Sequence, residues 1–374
     1  QKNAQSALDK GLITEQDIDK RLKILFRVRM RLSHFDPIGP LDKIPADSVC
    51  SEYAKQLSQD GARQSATLLK NDGGSLPLSR QSLGKVAVIG PNVNYSKVDA
   101  GYYGPLTICG GKYWTVFDAV SSGGVQTVSA LGVENATTDD QSGIAAAVEM
   151  ARAADTVVLA VGTDLSWARE GQDANSILFS EAQAALIEQV AAAAKKPVIL
   201  LLMTATPLDL SAVLANKKIG AVMHLGQPSV TVLGIAELLY GEASPAGRLI
   251  QTVYPASYQD QISIFDFGMR PGPSPYARPD CTDQNASKCP RGTNPGRTHR
   301  FYTGAPVLPF GFGLSYSSFS YALAAQPSQV SLGQLQEVLA RTAAAGQLFV
   351  KTEHLEAGAA SWQVGVQYIV NVTN

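Results

Sequence analysis

Three carboxylates and a tryptophan fall within eleven residues, Thr163-Asp164-Leu165-Ser166-Trp167-Ala168-Arg169-Glu170-Gly171-Gln172-Asp173. The stretch directly follows TVVLAVG (156 to 162), an apolar, β-branched run that reads as a buried strand. A carboxyl group held beside an aromatic ring keeps its proton to higher pH and can act as a proton donor. A tryptophan face can stack on a sugar ring. Glu170, Asp164 and Asp173 are therefore candidates for acid–base or binding work, and Trp167 for stacking. The plain alternative is a polar loop whose acids cap the next helix. A second stretch, Gly101-Tyr102-Tyr103-Gly104 through Cys109-Gly110-Gly111-Lys112-Tyr113-Trp114, interleaves aromatics with glycines. Tyr102 and Tyr103 could line a carbohydrate groove, or pack under a sheet edge.

Other chemistries lack their residues. The apolar run KVAVIG (85 to 90) is followed by Pro91-Asn92-Val93-Asn94. A dinucleotide fold needs glycines at that turn, so that backbone amides can approach a pyrophosphate. No P-loop, G-x-S-x-G elbow or H-E-x-x-H helix occurs. His34, His224, His299 and His354 are too scattered for a triad or a metal set, and no CxxC supports a zinc site. Neither a metal nor an organic cofactor is expected.

The elements that would hold these loops alternate regularly. Residues 14 to 32 read as a helix capped by Thr14 with Asp17, with Ile18, Leu22, Leu25 and Leu32 on one face. Asp36-Pro37 ends it, since a residue before proline avoids the helical region. A second helix is expected over 51 to 70. Then come strands at 85–90, 125–131, 156–162, 197–203 and 219–225, and helices at 142–154, 181–194 and 230–240. Continuous β-branched runs separated by helices predict a mostly parallel sheet covered on both faces, an α/β doubly wound domain over 49 to 255. Residues 256 to 300, rich in Pro, Gly, Asp, Asn and Arg, read as a long loop. Val364 to Val372 alternates as a strand, the start of a β domain.

Length and composition narrow the function. At roughly 150 residues per domain, 374 residues suggest two to three domains. With 45% hydrophobic and 17% charged residues, the chain is neither disordered, coiled coil nor collagen-like. A net charge of -1 carries no basic excess for nucleic acid or an anionic membrane. The longest apolar run, Val198 to Met203, is far too short for membrane insertion. The chain opens on Gln1 without a visible leader, which suggests the later part of a longer, processed protein. Cys281 and Cys289 lie close enough for a loop-closing bridge, and Cys50 and Cys109 could form a second. Sequons at Asn94, Asn135, Asn285 and Asn371 exceed the roughly one or two that chance would place. Together these features lean toward a secreted, extracellular glycoprotein.

Several stretches carry a resemblance to glycoside hydrolase family 3, and most closely to its plant and fungal β-xylosidases. GLITEQDIDKRLKILFRVRMRLSHFDP (11 to 37) resembles the last helices of the family's TIM barrel. VCSEYAKQLSQDGARQSATLLKNDGGSLPL (49 to 78), VAVIGPN (86 to 92), EGQD (170 to 173), KKPVILLLMTATPLDLS and YGEASPAGRL (240 to 249) resemble its α/β sandwich. NPGRTHRFYTGAPVLPFGFGLSYSSF (294 to 319) resembles the approach to a fibronectin III-like domain. The resemblance implies barrel-tail helices over 1–36, a linker over 37–48 and the sandwich over 49–255. It further implies a return segment over 256–318 and the start of the fibronectin-type domain over 319–374.

It also implies retaining hydrolysis of a terminal sugar on an oligosaccharide or polysaccharide by two carboxyl groups. The acid/base maps to Glu170, with Asp164, Trp167 and Asp173 around the sugar. The nucleophile belongs to the barrel, and no position here matches its motif. That barrel segment, on the same or a separate chain, is then an expected partner. Xyloside, arabinofuranoside and glucoside activities share the architecture. Some positions depart from the family pattern: Ala174 where Arg usually follows, Phe179-Ser180-Glu181 for Leu-Pro-Gly, Gly226-Gln227-Pro228-Ser229 for Pro-Gly-Gln-x-Gly, and Leu249-Ile250 for Leu-Pro. These changes raise a competing reading, a catalytically silent structural or carbohydrate-associating component.

Overall fold

The computed structural model describes residues 3–94, 108–228, 231–283, 285–325 and 369–373, with single positions 336, 340 and 344. Two helices come first, α1 (Ala4–Asp9) and α2 (Glu15–Arg31). Thr14 Oγ1 accepts from Asp17 N at 3.2 Å, while Thr14 N donates to Asp17 Oδ2 at 2.9 Å. This reciprocal pair satisfies amides that the first turn would otherwise leave open. Neither helix buries a residue, so the apolar face with Leu22, Leu25 and Leu32 is exposed.

The central layer is a six-stranded sheet of order β1-β6-β5-β4-β2-β3. In chain order its elements are α3 (Glu52–Ser65), β1 (Thr67–Asn71), β2 (Val86–Ile89), α4 (Val116–Ser121), β3 (Thr127–Ala130), α5 (Ile144–Ala153), β4 (Thr156–Gly162), α6 (Glu181–Ala193), β5 (Val198–Met203), α7 (Ser211–Ala215), β6 (Ile219–Gly226) and α8 (Ile235–Leu239). Successive side chains of a strand face opposite sides. Leu159 and Val161 accordingly join Leu200, Leu202, Ala147 and Leu186 in one core, beside α5 and α6. Val158 and Ala160 join Leu201, Met203, Val116 and Leu238 in the other, beside α4 and α8. Burial on both faces is what a parallel sheet requires, and it accounts for the uninterrupted apolar runs.

The structure corrects three expectations. The helix read over 51 to 70 stops at Ser65, and Thr67–Asn71 form a strand. There Leu68 and Leu69 are buried, and β1 pairs antiparallel with β6. The sheet is thus mostly parallel, as expected, with one antiparallel edge strand. Of the helix expected over 230–240, the described residues form only α8, and Gly234, which precedes it, lies against α3. A Cβ at Gly234 would stand 2.0 Å from the Gln59 carbonyl oxygen. Residues 256–300 are not a plain loop. They carry α9 (Ser257–Gln261), a hairpin of β7 (Gly272–Ala277) with β8 (Arg291–Asn294), and α10 (Thr298–Phe301). Apart from the main sheet, β9 (Ser320–Ala325) and β10 (Ile369–Thr373) pair antiparallel as a two-stranded ribbon.

Disulfides join Cys50 to Cys109 and Cys281 to Cys289, leaving no free cysteine among the described residues. No helix among the described residues is long and apolar enough to cross a membrane.

Candidate functional site

In a doubly wound sheet, ligands collect beyond the carboxyl ends of the strands, near the point where strand order reverses. Here the reversal lies between β2 and β4. An open groove of about 800 Å³ lies at these ends, lined by the loops after β4, β5 and β6. Thr163, Glu170, Gln172, Asp173, Thr206 and Gln227 contribute to it.

The β4 loop is built from its first residues outward. Gly162 ends the strand at φ 145°, and a Cβ there would stand 1.9 Å from the Met203 carbonyl oxygen. Only glycine permits that approach. The buried Gln183 amide, from α6, braces the same point. Its oxygen accepts from Gly162 N at 3.1 Å, and its nitrogen donates to the carbonyls of Gly162 (3.0 Å) and Ala136 (2.9 Å). Asp164 follows, 7% exposed. Its Oδ2 accepts from Ala136 N at 2.9 Å, and its Oδ1 from Ser166 N at 2.8 Å and Ser166 Oγ at 2.5 Å. Thr137 Oγ1 donates to Ser166 Oγ at 2.9 Å, extending the network to the segment after β3.

Glu170 and Gly171 form the tip. Arg169 and Gln172 exchange both backbone hydrogen bonds at 2.9 Å, closing a two-residue turn. Gly171 has φ 77°, the positive value a type II turn needs at its third position. Gln172 Nε2 donates to the Ser166 carbonyl at 2.7 Å, and an Arg169 guanidinium nitrogen to the Leu165 carbonyl at 2.8 Å. Glu170 is thereby exposed at the groove on a turn tied back to the strand end.

The predicted residues divide. Glu170, Asp164 and Asp173 share the groove. Asp164 is engaged by the loop's own donors, so its first task is to shape the loop. Trp167 corrects the stacking expectation: it is 8% exposed and packs in the core beside α6. An indole held there presents no face to a sugar. Tyr102 and Tyr103 lie outside the described residues. Asn94, Asn285 and Asn371 are exposed, while Asn135 is partly buried, its Oδ1 accepting from Thr137 N at 3.0 Å. Sequence reasoning missed Thr206 and Gln227. The rule that ligands gather at the ends of adjacent strands would have pointed to both. No grouping of three or more metal-ligating side chains occurs among the described residues.

Known proteins resemble this chain in sequence and fold. Residues 66–316 match the glycosyl hydrolase family 3 C-terminal domain. The chain is similar to "Probable beta-D-xylosidase 6" of Arabidopsis thaliana, 34% identical over 89% of this chain and 40% of that protein. It is similar to "Beta-D-xylosidase 3" of the same plant, 36% identical over 88% of this chain and 40% of that protein. The chain thus spans about two fifths of the length of these relatives. Among solved structures, a GH3 exo-beta-xylosidase in complex with a xylobiose aziridine probe superposes with a TM-score of 0.74. It is 29% identical, over 87% of this chain and 39% of that one.

Proposed function

The chain belongs to glycosyl hydrolase family 3, and we propose that it forms the sandwich part of a secreted, retaining, β-xylosidase-like exo-glycosidase. Glu170 is its acid/base, acting on a terminal sugar of an oligosaccharide or polysaccharide. The observation that carries the reading is the place of Glu170: on a glycine-enabled turn, tied to the end of a buried strand, at a groove formed by three strand ends.

In this reading Glu170 donates its proton to the leaving oxygen while a barrel carboxylate attacks the anomeric carbon. It then takes a proton from the water that releases the sugar, with the two carboxyl groups about 5 Å apart. Residues 1–36 are the tail of that barrel, 37–48 a linker, 49–255 the sandwich, 256–318 its return segment and 319–374 the start of a fibronectin III-like domain. The exposed apolar face of α2 suits a helix that docks on such a barrel. Two disulfides that use every cysteine, with sequon asparagines 94, 285 and 371 exposed, suit an extracellular glycoprotein.

The test is Glu170→Ala in the full-length protein. Turnover of an unactivated xyloside should fall by about 10²–10⁴, while a substrate with a good leaving group loses far less in its first step. Equal loss on both, or none, sinks the assignment. A second reading, a catalytically silent member, draws on Trp167 being packed in the core and on Ala174 following Asp173. Hydrolysis that Glu170→Ala abolishes ends that reading.

A further inference from the structure

The loop that bears Glu170 is anchored at its start by Asp164 and Gln183. Its other end is held by the segment that composition alone makes a plain loop. Gln259, in α9, places its side-chain oxygen where it accepts from Ile177 N at 2.9 Å and Ser176 Oγ at 3.2 Å. Ser176 Oγ in turn accepts from Leu178 N at 3.0 Å. Asp209, in the loop after β5, reaches the same place from the other side. Its N donates to the Ile177 carbonyl at 2.6 Å, and its Oδ2 accepts from Ala256 N at 2.8 Å. Asp209 Oδ1 is fixed by Ser211 N at 2.8 Å. Residues 176–177 are thus clipped between α9 and the β5 loop.

The clip is rigid because α9 is itself built in. Tyr258 is buried and stacks on Tyr254 at 4.1 Å between ring centres, with the Tyr302 ring edge-on to both. Tyr258 OH donates to the Gly296 carbonyl at 3.4 Å. The segment from 254 to 302 therefore acts as a brace that meets residues 176–177 through the Gln259 amide oxygen and Asp209 through the Ala256 amide.

We propose that Gln259 is a positioning residue for the acid/base. By accepting from Ile177 N and Ser176 Oγ, it fixes the trailing end of the loop, and with it the height of the Glu170 turn at the groove. The proposal rests on the reading of Glu170 as acid/base. It is distinct from a general stability role because both donors converge on one acceptor oxygen. A glutamate at 259 keeps such an oxygen, whereas a leucine of similar size has none.

The test uses Gln259→Leu, Gln259→Glu and Glu170→Ala in the full-length protein, each assayed on a substrate with a poor leaving group and one with a good leaving group. Acid help matters only when the leaving group is poor. Gln259→Leu should lose roughly ten- to a hundredfold in kcat on the poor leaving group, with little change in KM, because misplacement of a catalytic group by about 1 Å has that effect. The good leaving group should be nearly unaffected, and Gln259→Glu should restore most of the loss. The second measurement is the rate of tryptic cleavage after the exposed Arg169. It should rise several-fold in Gln259→Leu and return in Gln259→Glu. If Glu170→Ala shows the leaving-group pattern and Gln259→Leu does not, the brace is refuted and the Glu170 reading stands. If Glu170→Ala shows no such pattern, the Glu170 reading and the catalytic role of the brace both fall. The tryptic rate then decides whether Gln259 holds the loop at all, and an unchanged rate refutes that too.

Discussion

Replacing Asp164 by alanine is a direct test of how the β4 loop is held. Three donors converge on its carboxylate: Ala136 N at 2.9 Å, Ser166 N at 2.8 Å and Ser166 Oγ at 2.5 Å. Bonds to a charged acceptor contribute about 1.5–3 kcal/mol each, but they do not add when they share one group. The two Ser166 donors sit in a partly exposed residue and can turn to water. The Ala136 amide belongs to a fully buried residue, and leaving such a donor open costs about 1–3 kcal/mol. The expected loss for Asp164→Ala is therefore about 3 kcal/mol. In a domain of this size that lowers Tm by roughly 6–12 °C, at about 2–4 °C per kcal/mol. Thermal and urea unfolding of the variant beside the parent would measure it. Asp164→Asn keeps one acceptor oxygen and should fall between the two. A drop below about 1 kcal/mol would refute the reasoning, because it would mean that water replaces the carboxylate at Ala136 without penalty.

Two further outcomes follow from closures and protons elsewhere in the fold. The Cys50–Cys109 bridge spans 59 residues and Cys281–Cys289 spans 8. On loop-closure entropy, removing the first should cost about 4 kcal/mol and removing the second about 2.5 kcal/mol. Unfolding of the two double-serine variants reports the order, and the reverse order would count against the entropic account. His224, on β6, resists protonation because burial disfavours its cation, and its pKa lies below the usual 6.5. The unfolded chain takes up that proton near 6.5 while the folded one does not, so stability should fall as pH drops below about 6.5. His224→Leu should flatten that limb of a stability–pH profile, and an unchanged slope would rule the residue out as its source.

The core strands were legible because their chemistry is local. A strand covered on both faces must be apolar along its whole length, and KVAVIG, TVVLAVG and PVILLLM announce this without reference to neighbours. Capping at Thr14 is also local, since both partners lie within one turn. The carboxylate-bearing loop could be found because it follows such a strand, and EGQD carried the likeness to the family. The structure decided what lies between elements far apart in the chain. Thr67–Asn71 became a strand because β6 offered an open edge, which no window of sequence around 67 contains. Trp167 has the same residue type whether it meets a sugar or a core. Only the packing of α6 and its neighbours places it in the core. Gln259 lies 82 and 83 residues beyond the two donors it accepts from, in a segment whose composition reads as irregular, and those donors become visible only when α9 folds against the loop after β4. Sequence patterns encode burial along a single element. Hydrogen-bond partners drawn from several elements depend on how those elements meet, and that meeting is fixed by tertiary packing alone.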